Sequence, residues 1–199
     1  VTGYTGIELW NGLSELKSRI RSLPDAILFT LFPKYTALGP PPTLLEKWDQ
    51  LLNEGRRVVA VGGADAHARP YPWGPLKPVI FPYRYHFQAI NTHLLVPRLL
   101  GQDFNADRRL VINALRDGHA FVGYDLPAST RGFRFTAQSQ RGTAIMGDEI
   151  RLKGGVTLQI RLPLKTRCTL ICDGQPVKTW EDSLFCTHIT NQPGVYRVE

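Results

Sequence analysis

Apolar and polar positions follow two different rhythms along this chain, and the change comes near residue 126. Before it, strand-like apolar runs alternate with helical spacing. Thr5-Gly6-Ile7-Glu8-Leu9-Trp10 reads as a short strand ending in the turn pair Asn11-Gly12, and Ser14 to Leu23 as a weak helix stopped by Pro24. Pro40, Pro41 and Pro42 predict an extended stretch. Thr43 then supplies an N-cap, with Glu46 three residues on completing a capping box. Leu44, Leu45, Trp48, Leu51 and Leu52 fall on one helical face, and Gly55 closes the helix. Arg57 to Val61 is nearly continuous in apolar residues, as in strands buried on both sides of a parallel sheet. Asn105 or Asp107 caps a second helix through Leu110, Val111, Ala114 and Leu115, which Gly118 ends before the strand Ala120 to Gly123. Helix then strand, repeated, predicts an α/β fold.

After residue 126 the rhythm is short. Phe133, Phe135 and Ala137 alternate with polar neighbours, and Val156 to Leu162 alternates cleanly. Cys168 to Cys172 leads into Asp173-Gly174, a strong hairpin signal, and Val177 to Trp180 returns. Strands at this spacing predict a small β-sandwich that breaks off in mid-pattern at Glu199. Two domains are therefore expected: 1–125 as an α/β unit, and 126–199 as an incomplete β-sandwich-like tail.

Composition narrows the function classes. The 199 residues are 43% hydrophobic and 21% charged, enough to build a core and typical of a globular protein. No apolar run approaches the ~18 residues that span a bilayer, so no membrane partner is expected. The chain starts at Val1 and its one methionine is Met146. That predicts an internal or processed piece from which targeting information has been cut, of cytoplasmic origin. The net charge is +7, but the basic residues occur in scattered pairs such as Arg56-Arg57 and Arg108-Arg109. Scatter of that kind predicts a solvated face and makes nucleic acid an unlikely partner. Three cysteines, odd in number, predict reduced core thiols, with Cys168 and Cys172 on one strand face.

The candidate chemistry lies on and just after the Arg57 to Val61 strand, in Val58-Val59-Ala60-Val61-Gly62-Gly63-Ala64-Asp65-Ala66-His67. In an extended segment, residues two apart point the same way, so Asp65 and His67 converge. A carboxylate and an imidazole together suit zinc, manganese or iron. The two glycines allow close approach of backbone to a metal or substrate. The same letters also fit a helix cap followed by a surface histidine. His86 and His93, seven apart, share a face if the segment between them is helical. The Pro- and aromatic-rich span from 68 to 85 is long enough to predict a functional loop.

Gly6-Ile7-Glu8-Leu9-Trp10-Asn11-Gly12, the helix around Trp48-Asp49, and Arg56 to Ala68 resemble the PHP (polymerase and histidinol phosphatase) superfamily of metal-dependent phosphoesterases, in its carbaryl hydrolase-like branch. The resemblance implies the carboxyl-terminal part of a distorted (β/α)7 barrel followed by a β-sandwich tail. It implies that Asp65 and His67 are metal ligands, and that Glu8 and Asn11 line the site in a catalytic role, facing substrate or behind the ligands. It implies two or three divalent ions in the intact parent and a small phosphoester or related ester as substrate. Arg69, Tyr83 and Arg84, on or beside the long span, are candidates for holding an anionic group. No histidine precedes His67, so most of the site is expected upstream of Val1. This piece alone is then expected to bind metal weakly and turn over negligibly. A cut barrel exposes sheet edges, which predicts a possible homo-oligomer. The alternative is a non-catalytic binding module, with the barrel as scaffold and the β-sandwich as the recognition surface.

Overall fold

The computed structural model describes residues 3–32, 37–68, 79 and 82–199. Its first sheet is a parallel pair. β1 (Gly6–Asn11) lies beside β2 (Val59–Gly63), with Gly6 opposite Val59 and Asn11 opposite Gly63, and the register slips between Glu8 and Trp10. A parallel pair requires a long crossover. Here α1 (Gly12–Arg19), α2 (Leu23–Leu31) and α3 (Pro42–Asn53) supply it. Leu9, Trp10, Leu16, Leu51 and Val58 are buried.

Several local expectations change at the element ends. Asn11 and Gly12 do not turn the chain, because the Asn11 side chain accepts a hydrogen bond from Ser14 N at 2.8 Å and starts α1 at once. Pro24 does not stop a helix but opens α2, in the first turn, where a missing N–H costs nothing. The Thr43–Glu46 capping box does not form. Helix α3 begins at Pro42 after Pro41 with no side-chain cap, since the fixed φ of proline already suits a helix start. Gly55, at φ +76°, does leave the helix in a left-handed conformation.

The next unit departs further from the expected α/β repeat. A short α4 (Tyr83–His86) leads into β3 (Ile90–Leu94), and α5 (Phe104–Asp117) leads into β4 (Ala120–Tyr124). β3 and β4 are antiparallel, with Ile90 opposite Tyr124. The half-polar sequence of β3 gave no strand signal. His86 and His93 consequently sit on different elements and share no helical face. Asp103, not Asn105 or Asp107, caps α5 by accepting from Ala106 N at 3.1 Å. Between the two sheets the Thr92 hydroxyl does the work of a backbone rung: it accepts from Gly62 N at 2.9 Å and donates to Gly62 O at 2.7 Å. The fold is mixed α/β, and among the described residues no closed barrel forms. No described helix is long and apolar enough to cross a membrane.

The tail is a five-stranded antiparallel sheet. β5 (Arg134–Ser139), β6 (Gly142–Ile145), β7 (Val156–Cys172), β8 (Gln175–Thr190) and β9 (Tyr196–Val198) are arranged β6-β5-β7-β8, with β9 beside the later part of β7. Asp173 (φ 50°) and Gly174 (φ 81°) make the turn between the two long strands. Register slips between Arg161 and Cys168 bend the hairpin. Val156, Leu158, Ile160 and Leu162 from one half then share a core cluster with Cys168 and Leu170 from the other. One bent sheet, in place of two separate sheets, encloses the tail's core among the described residues.

The two regions are tied by specific contacts. Arg57 Nη2 donates to Asp117 O at 3.2 Å and to Gly147 O at 2.6 Å. Phe121 of β4 meets Phe133 edge-on, ring centres 5.0 Å apart.

Candidate metal-ligand site

Because β1 and β2 run in the same direction, their carboxyl ends emerge side by side. Glu8 and Asn11 therefore lie next to the segment that follows Gly63. Asn11 is the hub. Its side-chain oxygen is committed to Ser14 N, which fixes the amide so that Nδ2 faces the carboxylates. Nδ2 donates to both oxygens of Glu8 at 3.2 Å and to Asp65 Oδ2 at 3.3 Å.

Asp65 and His67 do converge, but not through extended geometry. Asp65 has φ +52°, a left-handed conformation that aspartate tolerates better than most residues. The turn it makes brings His67 Nδ1 to 2.8 Å from the Asp65 carbonyl oxygen and 3.2 Å from Oδ1. Both partners are acceptors, so Nδ1 carries the proton and donates. In the neutral ring this leaves Nε2 as the nitrogen that can bind a cation. The two side chains keep roughly two-fifths of their surface, 37% for Asp65 and 45% for His67, so the pair opens to solvent.

The paired glycines have unequal roles. A Cβ on Gly62 would sit 2.5 Å from Val122 Cγ1 and 3.1 Å from Trp10 O, so this glycine lets β2 pack tightly under β4. Among the described residues, Gly63 has nothing within 4 Å of a Cβ. Their use is thus packing at Gly62 and open space at Gly63, and no close approach to a bound group is needed to account for either.

His86 joins this neighbourhood, without the His93 that the seven-residue spacing set beside it. It is buried, and burial followed by the nearby His67 pushes its pKa down, while Asp65 pulls it back up. Its position depends on how the chain returns after residue 68, which no local pattern encodes. Tyr83 and Arg84 lie on the same short helix α4 and are exposed, with Tyr83 stacked on Phe87 at 5.8 Å. No described contact brings either to Asp65 or His67. Arg69 lies outside the described residues.

The donor chemistry, one carboxylate and one imidazole whose Nε2 meets no hydrogen-bond partner among the described residues, suits a borderline divalent cation. The number of donors falls short. Among the described residues no group of three or more His, Cys, Asp or Glu side chains is placed to hold a metal ion. The residues here fit part of a coordination shell and do not close one.

A second polar cluster escaped the sequence reading. His93 Nε2 is 2.8 Å from Asp125 Oδ2 and 3.0 Å from Thr130 Oγ1, and the hydroxyl donates to Asp125 Oδ1 at 2.6 Å. Asn91 Nδ2 also donates to Asp125 Oδ2, at 2.9 Å. Burial pushes the Asp125 carboxyl up, but the bonds from Thr130, Asn91 and His93 outweigh it and hold the group below the usual carboxylate range. The His93 ring stacks flat on Phe121 at 4.6 Å. Both acceptor contacts meet the same ring nitrogen, so the cluster clamps β3 to the segment after β4 and does not form a nucleophile–base relay. A shallow groove of about 430 Å³ lies elsewhere, over α5 between Phe104, Asp107, Val111 and Ile112. Set against family models, curated proteins and solved structures, the chain matches none of them.

Proposed function

We propose that this chain is part of a PHP-type metal-dependent hydrolase acting on small phosphoesters, with Asp65 and His67 as two of its metal donors. The observation that carries this reading is the His67 ring. Its Nδ1 is spent on the Asp65 backbone oxygen and carboxylate, which leaves Nε2 as the ring nitrogen to offer a cation, and Asn11 at the neighbouring strand end restrains that carboxylate. The parallel β1–β2 pair with its helical crossover is read as an arc of the distorted barrel, and residues 126–199 as the appended tail domain. Zinc, manganese or iron suits the donors, and two or three such ions belong to the intact assembly. The remaining ligands must come from groups other than the described side chains.

A divalent cation in such a site lowers the pKa of a bound water from about 15.7 toward 7 and offsets charge gathering on phosphoryl oxygens. The work of this chain is to position. Asp65 brings a negative oxygen, and Asn11 restrains it by donating to Oδ2. Glu8, held at both oxygens by the same amide, presents a second carboxylate to the open side, where it can take a proton from an attacking water. Tyr83 and Arg84, exposed on α4, are available to a substrate anion, and Arg69 follows the donor segment in sequence.

The test is calorimetric titration of the chain with zinc and with manganese. Weak binding, with dissociation constants in the micromolar range or above, is expected for two donors. Asp65→Ala and His67→Ala each abolish it. Submicromolar affinity, or affinity indifferent to both substitutions, overturns the reading.

A further inference from the structure

The outward face of the tail sheet carries a grouping that sequence order hides. Strand pairing sets Arg134 of β5 directly opposite Arg161 of β7, and Arg161 directly opposite Phe185 of β8. Directly opposed residues on antiparallel strands project to the same face, about 4.5–5.5 Å apart at Cα. The alternate residues Phe135, Ile160 and Cys186 pack in the core, so this row faces away from it. Along the strands, the next row is Thr136, Gln159 and Thr187, which carries no charge.

Like charges set directly opposite destabilise a sheet. Among the described residues neither arginine makes an ion pair. Arg134 spends only Nη1, on Phe133 O at 2.7 Å. Beside them Phe185 is 72% exposed, a large ring left in water next to the buried Cys186. Two guanidinium forks this close can grip one phosphate between them, which removes their mutual repulsion. An exposed ring one strand away offers a stacking surface to a planar base. Gln159 and Thr187 add uncharged donors and acceptors alongside. A duplex hides its base faces, so an open sheet with an upright ring suits an unpaired strand.

We propose that this face binds single-stranded nucleic acid, with a backbone phosphate between Arg134 and Arg161 and a neighbouring base stacked on Phe185. The site lies apart from Asp65 and His67, on another sheet, and does not depend on the hydrolase reading. The scattered basic pairs of the sequence pointed away from such a partner, since Arg134 and Arg161 become neighbours only through β5–β7 pairing.

The experiment is fluorescence anisotropy of a labelled fifteen-residue oligothymidylate with the full 199-residue chain, between low and moderate salt. Micromolar binding that weakens with salt is expected. Arg134→Ala and Arg161→Ala each reduce affinity about fivefold and flatten the salt dependence. Phe185→Ala reduces it about tenfold and leaves the salt dependence unchanged. Lys165→Ala, a basic residue paired with Asp182 on the far half of the hairpin, changes affinity less than twofold. All four positions are exposed, and matching thermal melts confirm that each variant folds. Absence of binding at low salt overturns the proposal, as does duplex DNA binding as tightly as the single strand. If Phe185→Ala is neutral while the arginine variants lose affinity, the face is a general anion site for acidic peptide or glycan, and the proposal likewise fails.

Discussion

Arg197 of β9 and Asp49 of α3 face each other as a two-point ion pair, Nε to Oδ1 at 2.8 Å and Nη2 to Oδ2 at 2.9 Å. Both side chains are about nine-tenths buried, and Arg197 also reaches Glu199. Burial alone pushes the Arg197 guanidinium toward deprotonation, but Asp49 and Glu199 outweigh it and hold the proton more firmly than usual. The pair spans 148 residues and joins the α/β region to the tail. Removing one member strands the other charge in a poorly hydrated place. Arg197→Ala is expected to cost roughly 3 kcal/mol in urea unfolding, and Arg197→Lys, which loses the fork, an intermediate amount. A cost under about 0.5 kcal/mol for both would show that the two regions do not depend on this contact.

The two glycines before the donor segment separate packing from function. Gly62→Ala forces a methyl into Val122 and the Trp10 carbonyl, and is expected to cost about 1–3 kcal/mol. Gly63→Ala meets nothing and should stay within about 0.5 kcal/mol of the parent. Thermal denaturation of the two variants side by side checks this. Equal destabilisation would contradict the close β2–β4 approach.

Asp125 gives a pH dependence of definite sign. A carboxyl held below its unfolded value of about 3.9 adds stability that is complete above that value and is lost as pH falls through the lower folded one. Asp125→Asn is therefore expected to destabilise by about 2 kcal/mol at pH 7. The gap between parent and variant should close below pH 4. A gap unchanged from pH 7 to pH 3, measured by chemical denaturation, would contradict the role of the Thr130, Asn91 and His93 bonds.

The three thiols are expected to be silent. Burial, with Cys186 beside it, pushes Cys168 up to about 12, and burial likewise raises Cys172. All three are free and almost fully enclosed. A thiol reagent at pH 8 should label none of them in the native protein and all of them after unfolding, read by mass spectrometry. Rapid native labelling of Cys168 would mean that the bent hairpin opens far more readily than its packing indicates.

What the sequence revealed divides along physical lines. The amphipathic face of Leu44 to Leu52, the strand from Val156 and the Asp173-Gly174 turn are local patterns, and each is formed as read. Mixed α/β character was equally legible. β3 was not, because Ile90-Asn91-Thr92-His93-Leu94 alternates too weakly and is held by Thr92 bonding across to Gly62, a long-range contact. Missing β3 also hid the antiparallel β3–β4 pair and suggested a more regular barrel than the described residues form. At the candidate site, the spacing of Asp65 and His67 pointed to their proximity and the family resemblance singled out Glu8 and Asn11, and the four side chains lie together through Asn11 and the Asp65 turn. The left-handed turn at Asp65, the approach of His86 and the Arg134–Arg161 row were invisible, since each is produced by chain return or strand register rather than by neighbours in sequence.

The most direct test of the central claim is nitrogen-resolved NMR of the histidine rings during zinc titration. His67 Nε2 is expected to shift with added zinc while Nδ1 keeps its proton toward Asp65, and Asp65→Ala to remove the response. Shifts confined to other histidines such as His119 or His188, with His67 unmoved, would contradict it.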